Sequence, residues 1–250
     1  PGQTPIFRDF TWHVALGEMW AVIGPSGCGK STLLYLLAGL RQPTAGSLRV
    51  AGAEVTRPRA RTGLILQEYG LLPWATVWEN AALGLRLGRF YAGKQANDPT
   101  RPYPPPDIAP QSVDAWLRRL GIDSLSHAYP GQISGGQRQR TAIARTLVLQ
   151  PDVLLMDEPF SSLDALTRED LQDLVAELAG ETRLTTVLVT HNVEEAAFLG
   201  RRILVLGQPP TTRPHVIDND AAGTPGYRQQ PSYWQKCAEL RAALAATHLA

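Results

Sequence analysis

The chain has 250 residues, with 24 Lys+Arg against 23 Asp+Glu and a formal net charge of +1, so neither nucleic acid nor an anionic membrane surface is called for as a partner. Hydrophobic residues make up 44% and charged residues 19%, ordinary for one well-cored globular domain or a domain with a subdomain. No apolar run reaches the ~18 residues of a membrane span; Cys28 and Cys237 make no disulfide framework and point to a reducing compartment.

The first residue is Pro1, not Met, and the expectation is that a natural N-terminus, with any targeting segment, lies upstream. "MWAVIG" (19–24) is a short apolar run ending in glycine. After it, "STLLYLLAGL" sets Leu33, Leu34, Leu37 and Leu40 at helical spacing, with Gly39 and Pro43 near the end. The order is strand, glycine loop, helix. Further apolar runs follow: "TGLILQ" (62–67), "DVLLMD" (152–157), "TTVLVTH" (185–191) and "RRILVLG" (201–207). Helical patterns lie between several of them, such as "LTREDLQDLVAELAG", with Leu171, Leu174, Val175 and Leu178 on one face. Continuous apolar strands alternating with amphipathic helices predict an α/β fold, its mostly parallel sheet covered on both faces.

Residues 69–150 break the alternation. They show helices and no convincing strand, and read as an inserted α-helical subdomain. The division is therefore 1–68 and 151–207 for the two parts of the sheet core, 69–150 for the insertion and 208–250 for a C-terminal tail and helix. The proline-rich stretch 88–110 predicts an exposed irregular loop. The tail 208–231 reads as irregular, with a last helix from Ser232.

Residues 24–31 fit G-x-x-x-x-G-K-[ST], the P-loop pattern. Gly24, Gly27 and Gly29 let the backbone turn its N–H groups inward onto phosphate, and the following helix adds its positive end. Lys30 is placed to reach the β and γ phosphates of ATP, and the Ser31 hydroxyl to ligate Mg²⁺. Pro25, Ser26, Cys28 and Thr32 complete the nucleotide-binding run. Cys28 reads either as a neutral spacer or, beside Lys30 at a helix N-terminus, as a thiolate that reagents attack and ATP protects.

"VLLMDEP" ends an apolar strand in two acids. Asp157 comes directly off the strand, at the edge where ligands bind in such sheets, and suits Mg²⁺. Glu158, one residue on, suits a general base that polarises an attacking water. Gln67 and His191 likewise end apolar runs at the same edge, His191 within reach of a γ-phosphate. His13, His127, His215 and His248 form no metal-ligand spacing. A second anion-holding stretch, "ISGGQ" (133–137), stands about a hundred residues after the first.

Taken in order, "GPSGCGKST", Gln67, "ISGGQ", "VLLMDEP", "SSLD" and His191 resemble the ATP-binding cassette (ABC) family of transport ATPases over nearly the whole chain. The resemblance implies a P-loop NTPase cassette that binds ATP and Mg²⁺. It also explains the two anion holders: two cassettes pack head to tail, and Ser134, Gly135, Gly136 and Gln137 of one complete the nucleotide site of the other. By the same resemblance Gln67 senses Mg²⁺ and water and links them to the helical subdomain, while Asp164 helps join the two halves. The aromatic residue on which the family stacks adenine is expected before Pro1, and Phe7 and Phe10 read as strand core.

"EYGLLPWATVWENAALGL" (68–85) and "EEAAFLGRRILVLGQPP" look like the importer group for nitrate, sulfonates, taurine and thiamine precursors. That implies a peripheral ATPase at the cytoplasmic face of the plasma (inner) membrane. Its partners would be a second copy, transmembrane permease subunits and an extracytoplasmic substrate-binding protein, with no nucleic acid. Leu71, Leu72 and Trp74 are either packed on their own subdomain or form a groove wall for a permease helix. The alternatives are a soluble cassette ATPase of assembly or repair, as in iron–sulfur cluster biogenesis, and a non-catalytic nucleotide-binding module. The "LLPW" run disfavours the former; Glu158 and His191 disfavour the latter.

Overall fold

The computed structural model describes residues 4–94 and 111–247. Its centre is a six-stranded sheet in the order β4-β5-β6-β1-β7-β8. The strands are β1 (Met19–Ile23), β4 (Thr62–Ile65), β5 (Val153–Asp157), β6 (Thr185–Val189), β7 (Arg202–Val205) and β8 (His215–Asp218). β2 (Arg49–Val50) and β3 (Ala53–Glu54) pair apart as a small hairpin. β1 has parallel neighbours on both sides, β6 and β7, and all five of its residues are buried. That double burial is why its sequence is a continuous apolar run rather than an alternating one.

The period of two along each strand divides the core in two. Met19, Ala21, Ile23, Leu154, Met156, Leu188 and Ile203 face the larger core. Trp20, Val22, Leu155, Val187, Val189 and Leu204 face the smaller one, where they meet Leu33, Leu34 and Ala38 of the segment that starts with α1 (Lys30–Leu37). α1 ends sooner than the leucine spacing suggests: Gly39 turns the chain at φ +71°, and Leu40 is left exposed.

Between β4 and β5 the described residues form the α-helices α2 (Val77–Lys94), α3 (Gln111–Arg119) and α4 (Gly135–Leu147). Val77, Ala81 and Leu85 of α2, Val113 and Leu117 of α3, and Ile143 and Leu147 of α4 share one apolar cluster. Residues 88–94, expected to be irregular, are the last turns of α2. None of them is a proline, and the helix-breaking residues come only later in the stretch. The remainder, 95–110, lies outside the described residues.

After β5 come α5 (Ala165–Thr182), then α6 (Val193–Leu199) after β6 and α7 (Pro231–Thr247) at the end. Two expectations need correction. The tail is not wholly irregular, since β8 pairs antiparallel with β7 from Arg202↔Asp218 to Val205↔His215. Its four residues carry exposed polar ends, His215 and Asp218, so the edge strand has little apolar signature. Phe7 and Phe10 are not strand core. Phe7 makes one isolated bridge to Thr211, and Asp9 at φ +50° ends any extension. The two rings, 5.1 Å apart, pack instead onto the smaller core.

Candidate functional site

The P-loop leaves β1 at Gly24 and enters α1 at Lys30. Gly29 sits in the left-handed region at φ +104°, and a side chain there would overlap Ile6 Cγ2. At Gly24 a Cβ would lie 2.7 Å from both Cys28 Sγ and the Leu206 carbonyl oxygen. The glycines thus serve packing beneath the loop as well as the turn itself. The first turn of α1 receives no side-chain cap, so its N–H groups remain directed at the loop. Lys30 is buried, with Nζ donating to the carbonyl oxygens of Gly24 at 2.8 Å and Pro25 at 3.0 Å. Ser26 and Gly27 form the exposed rim, and Thr32 follows Ser31 in α1.

Cys28 is not the poised thiolate that its neighbours suggested. It is fully buried in the smaller core, and burial pushes its thiol up above the ordinary value, outweighing the pull of Lys30. The side chain turns under the loop while the backbone turns over it. It therefore serves as a small apolar filler.

At the carboxyl edge, Ser31 Oγ donates to Asp157 Oδ1 at 3.3 Å, which brings the P-loop helix to the end of β5. Asp157 is buried; desolvation raises its pKa, Ser31 and Lys30 oppose the rise, and the neighbouring Glu158 adds to it. Glu158 then leaves the strand at φ +46°, a conformation that costs a non-glycine residue energy and is held here by its N–H bond to the Val189 carbonyl at 2.8 Å. The turn swings its carboxylate away from Asp157. Glu158 Oε2 lies 3.1 Å from His191 Nδ1 and accepts from Gln67 Nε2 at 3.4 Å. Three residues from three strand ends, 91 and 33 positions apart in the chain, thus converge on one carboxylate oxygen. Gln67 is turned to Glu158, not to Asp157 or Ser31.

Ser134 caps α4: its Oγ accepts from the Gln137 N–H at 3.3 Å, and Gln137 Oε1 accepts from the Ser134 N–H at 2.8 Å. Gln137 is occupied by this reciprocal cap. A Cβ on Gly136 would overlap Thr167 Cγ2 of α5, so that glycine lets two helices approach; Gly135 beside it is half-exposed. Among the described residues no hydrogen bond or ion pair joins 134–137 to 24–32. Tyr69 escaped notice in the sequence. It stands two residues after Gln67, its hydroxyl shares a hydrogen bond with Ser162, and its carbonyl accepts from Arg145 of α4. Nothing marks it in the sequence except that position.

The donors at this edge are a hydroxyl, a carboxylate and an amide, the hard oxygen ligands that Mg²⁺ takes one or two at a time with phosphate and water. Among the described residues no group of three or more His, Cys, Asp or Glu could hold a metal ion.

Outside the edge, Leu71 packs on the larger core, but Trp74 is 74% exposed. No described helix is long and apolar enough to cross a membrane.

Comparison with known proteins agrees with this geometry. The ABC transporter family matches residues 7–161. The taurine import ATP-binding protein TauB of Pelagibacter ubique is 40% identical over 203 residues, 81% of this chain and 71% of that protein. The aliphatic sulfonates import ATP-binding protein SsuB of Bacillus cereus is 37% identical over 87% of this chain and 80% of its own length. The nitrate import ATP-binding protein NrtD of Synechocystis is 39% identical over 84% and 74%. Among solved structures, the dimeric post-hydrolysis state of the ATP-binding cassette MJ0796 bound to ADP and Pi matches with a TM-score of 0.69 and 28% identity, over 85% of this chain and 90% of that one. A P-loop stacked on a buried sheet edge, a capped Ser-Gly-Gly helix and 155 matched residues carry one conclusion: this chain belongs to the ABC transporter family of ATP-binding cassettes.

Proposed function

We propose that this chain is the ATP-hydrolysing subunit of an importer that takes up a small solute of the taurine, sulfonate or nitrate class. The observation that carries the reading is the meeting of Gln67, Glu158 and His191 on one oxygen beside the P-loop. In hydrolysis, water attacks the γ-phosphorus of ATP, the bond to the β–γ bridging oxygen breaks, and ADP and phosphate leave. Glu158 accepts the proton of the attacking water, and Gln67 and His191 hold its carboxylate in place while His191 faces the γ-phosphate. Lys30, now bonded to loop carbonyls, exchanges them for phosphate oxygens. Ser31 and Asp157, with Gln67 close by, are the residues that would hold Mg²⁺, which when bound offsets phosphate charge.

The signature residues Ser134, Gly135, Gly136 and Gln137 act on the nucleotide of a second cassette, which fits the lack, among the described residues, of any hydrogen bond or ion pair between them and the P-loop of their own chain. The exposed Trp74, beside Leu72, docks the transmembrane permease, and the chain sits at the cytoplasmic face of the membrane. A substrate-binding protein outside the cell acts through that permease. The experiment is ATPase turnover with and without Glu158→Gln, expected to lower kcat by about 10²–10⁴-fold with ATP still bound. Equal turnover by the variant would remove Glu158 from the role. In the assembled transporter, Trp74→Glu is expected to abolish uptake and leave ATP binding intact; undiminished uptake would count against the docking face.

A further inference from the structure

Behind His191 lies a charged group that the hydrolysis scheme does not use. Glu195, in the first turn of α6, is only 3% exposed. An acid at that place ordinarily stays in water and complements the helix dipole; a buried one needs partners. Its Oε2 accepts from Thr190 Oγ1 at 2.6 Å, and the same hydroxyl accepts from the Asn192 N–H at 3.0 Å. The residues on both sides of His191 are therefore bent around one carboxylate. Glu195 Oε1 lies 3.8 Å from Arg168 Nε. Arg168, in the first turn of α5, donates from Nη2 to the Leu163 carbonyl at 2.7 Å and from Nε to the Phe160 carbonyl at 3.4 Å. A continuous chain of contacts runs from the loop holding His191, through Glu195 and Arg168, into the loop 158–164 that starts at Glu158 and ends at Asp164.

Burial pushes the Glu195 carboxyl up, and Thr190, Arg168 and His191 pull it back down while Glu158 opposes them. Buried ion pairs are weak sources of stability, and their best-attested use is to fix one arrangement among several. Here the arrangement is the register of two loops whose side chains meet at Glu158 and His191, 3.1 Å apart.

We propose that Glu195 is a positioning residue for ATP hydrolysis, tying the loop that carries His191 to the loop that runs from Glu158 to Asp164 through Thr190 and Arg168. The proposal rests on the ATPase reading above. Its action is indirect: Glu195 touches no reacting atom and sets the distance between groups that do. Misplacement of such groups is felt in turnover more than in nucleotide affinity.

The test uses the full chain and the variants Glu195→Gln, Arg168→Gln and the double variant. Glutamine keeps an acceptor for Thr190 and removes the charge. Each single change is expected to lower kcat about tenfold with the KM for ATP unmoved, and Glu195→Gln, which removes a buried charge, is not expected to lower the melting temperature. The double variant is expected to be no slower than the worse single one, as for two ends of one contact. Hydrogen exchange supplies a readout independent of turnover: amides of 158–164 and 190–192 should exchange faster in the variants, with the rest unchanged. Unchanged kcat, additive losses, or exchange that quickens throughout the fold together with a fallen melting temperature would each overturn the tie. If the wild-type chain does not hydrolyse ATP while these loop amides still respond, the hydrolysis reading fails and the tie stands.

Discussion

The two anion-facing helix starts in this chain, at residues 24–30 and 134–137, are built differently. The P-loop surrounds its opening with a buried cation, Lys30, a hydroxyl, Ser31, and a buried carboxylate, Asp157. The signature has no charged side chain in its cap: Ser134 and Gln137 satisfy each other, and what remains toward solvent is a hydroxyl and backbone N–H groups. One start has the charge to hold a phosphate by itself. The other offers only dipoles, of the strength that completes a site already charged by something else. On the function proposed above, a cassette with one of each is completed by a second copy.

Removing the charge breaks the comparison most sharply. Lys30→Ala is expected to weaken ATP binding by about 10- to 100-fold, the worth of charge-assisted hydrogen bonds, in a nucleotide titration; Ser134→Ala leaves binding to the single chain unchanged and lowers only hydrolysis. Next in size is a test of why each start is glycine-rich. Gly136→Ala drives a methyl into Thr167 and is expected to cost about 1–3 kcal/mol by denaturant unfolding. Gly27→Ala meets nothing within 4 Å, and its cost comes only from φ +80°, about 1–2 kcal/mol.

A smaller effect follows from Asp157. Its folded-state pKa is raised above the ordinary 3.8 by burial first. Above that pH the unfolded chain has shed a proton that the folded chain still holds, so stability contributed by this group falls as pH rises through the folded value. Asp157→Asn removes that loss. The ligand-free variant is expected to melt above wild type at pH 7, with the gap closing below the ordinary carboxylate pKa, although its Mg²⁺-dependent hydrolysis is lost. The smallest effect is at Cys28. N-ethylmaleimide is expected to modify it only as fast as the chain unfolds, and Cys28→Ser to leave ATPase activity close to wild type.

Most of the candidate edge was legible because its residues end apolar runs. Asp157, Glu158 and His191 stand out where an apolar strand stops, and the parallel sheet puts those ends along one edge. Short or edge elements were not legible. β8 has one buried residue among its four, too little pattern to tell from a loop. Sequence could not choose between the two readings of Cys28, spacer or thiolate: it shows Lys30 and a helix start nearby, but not which way a side chain turns, and 0% exposure favours the spacer. Tyr69 and Glu195 were invisible because their partners, Ser162 and Arg168, lie 93 and 27 positions away.

By itself, the sequence determined the chemistry available and the alternation of strand and helix, since glycine pattern, hydrophobic period and strand-end polarity are local properties of the chain. Tertiary structure alone decided which carboxylate meets His191, which thiol is shut away, and which glycine answers to a neighbour and which to its own backbone. Those depend on burial and on contacts between distant segments, and no local pattern encodes the direction in which a side chain finds them.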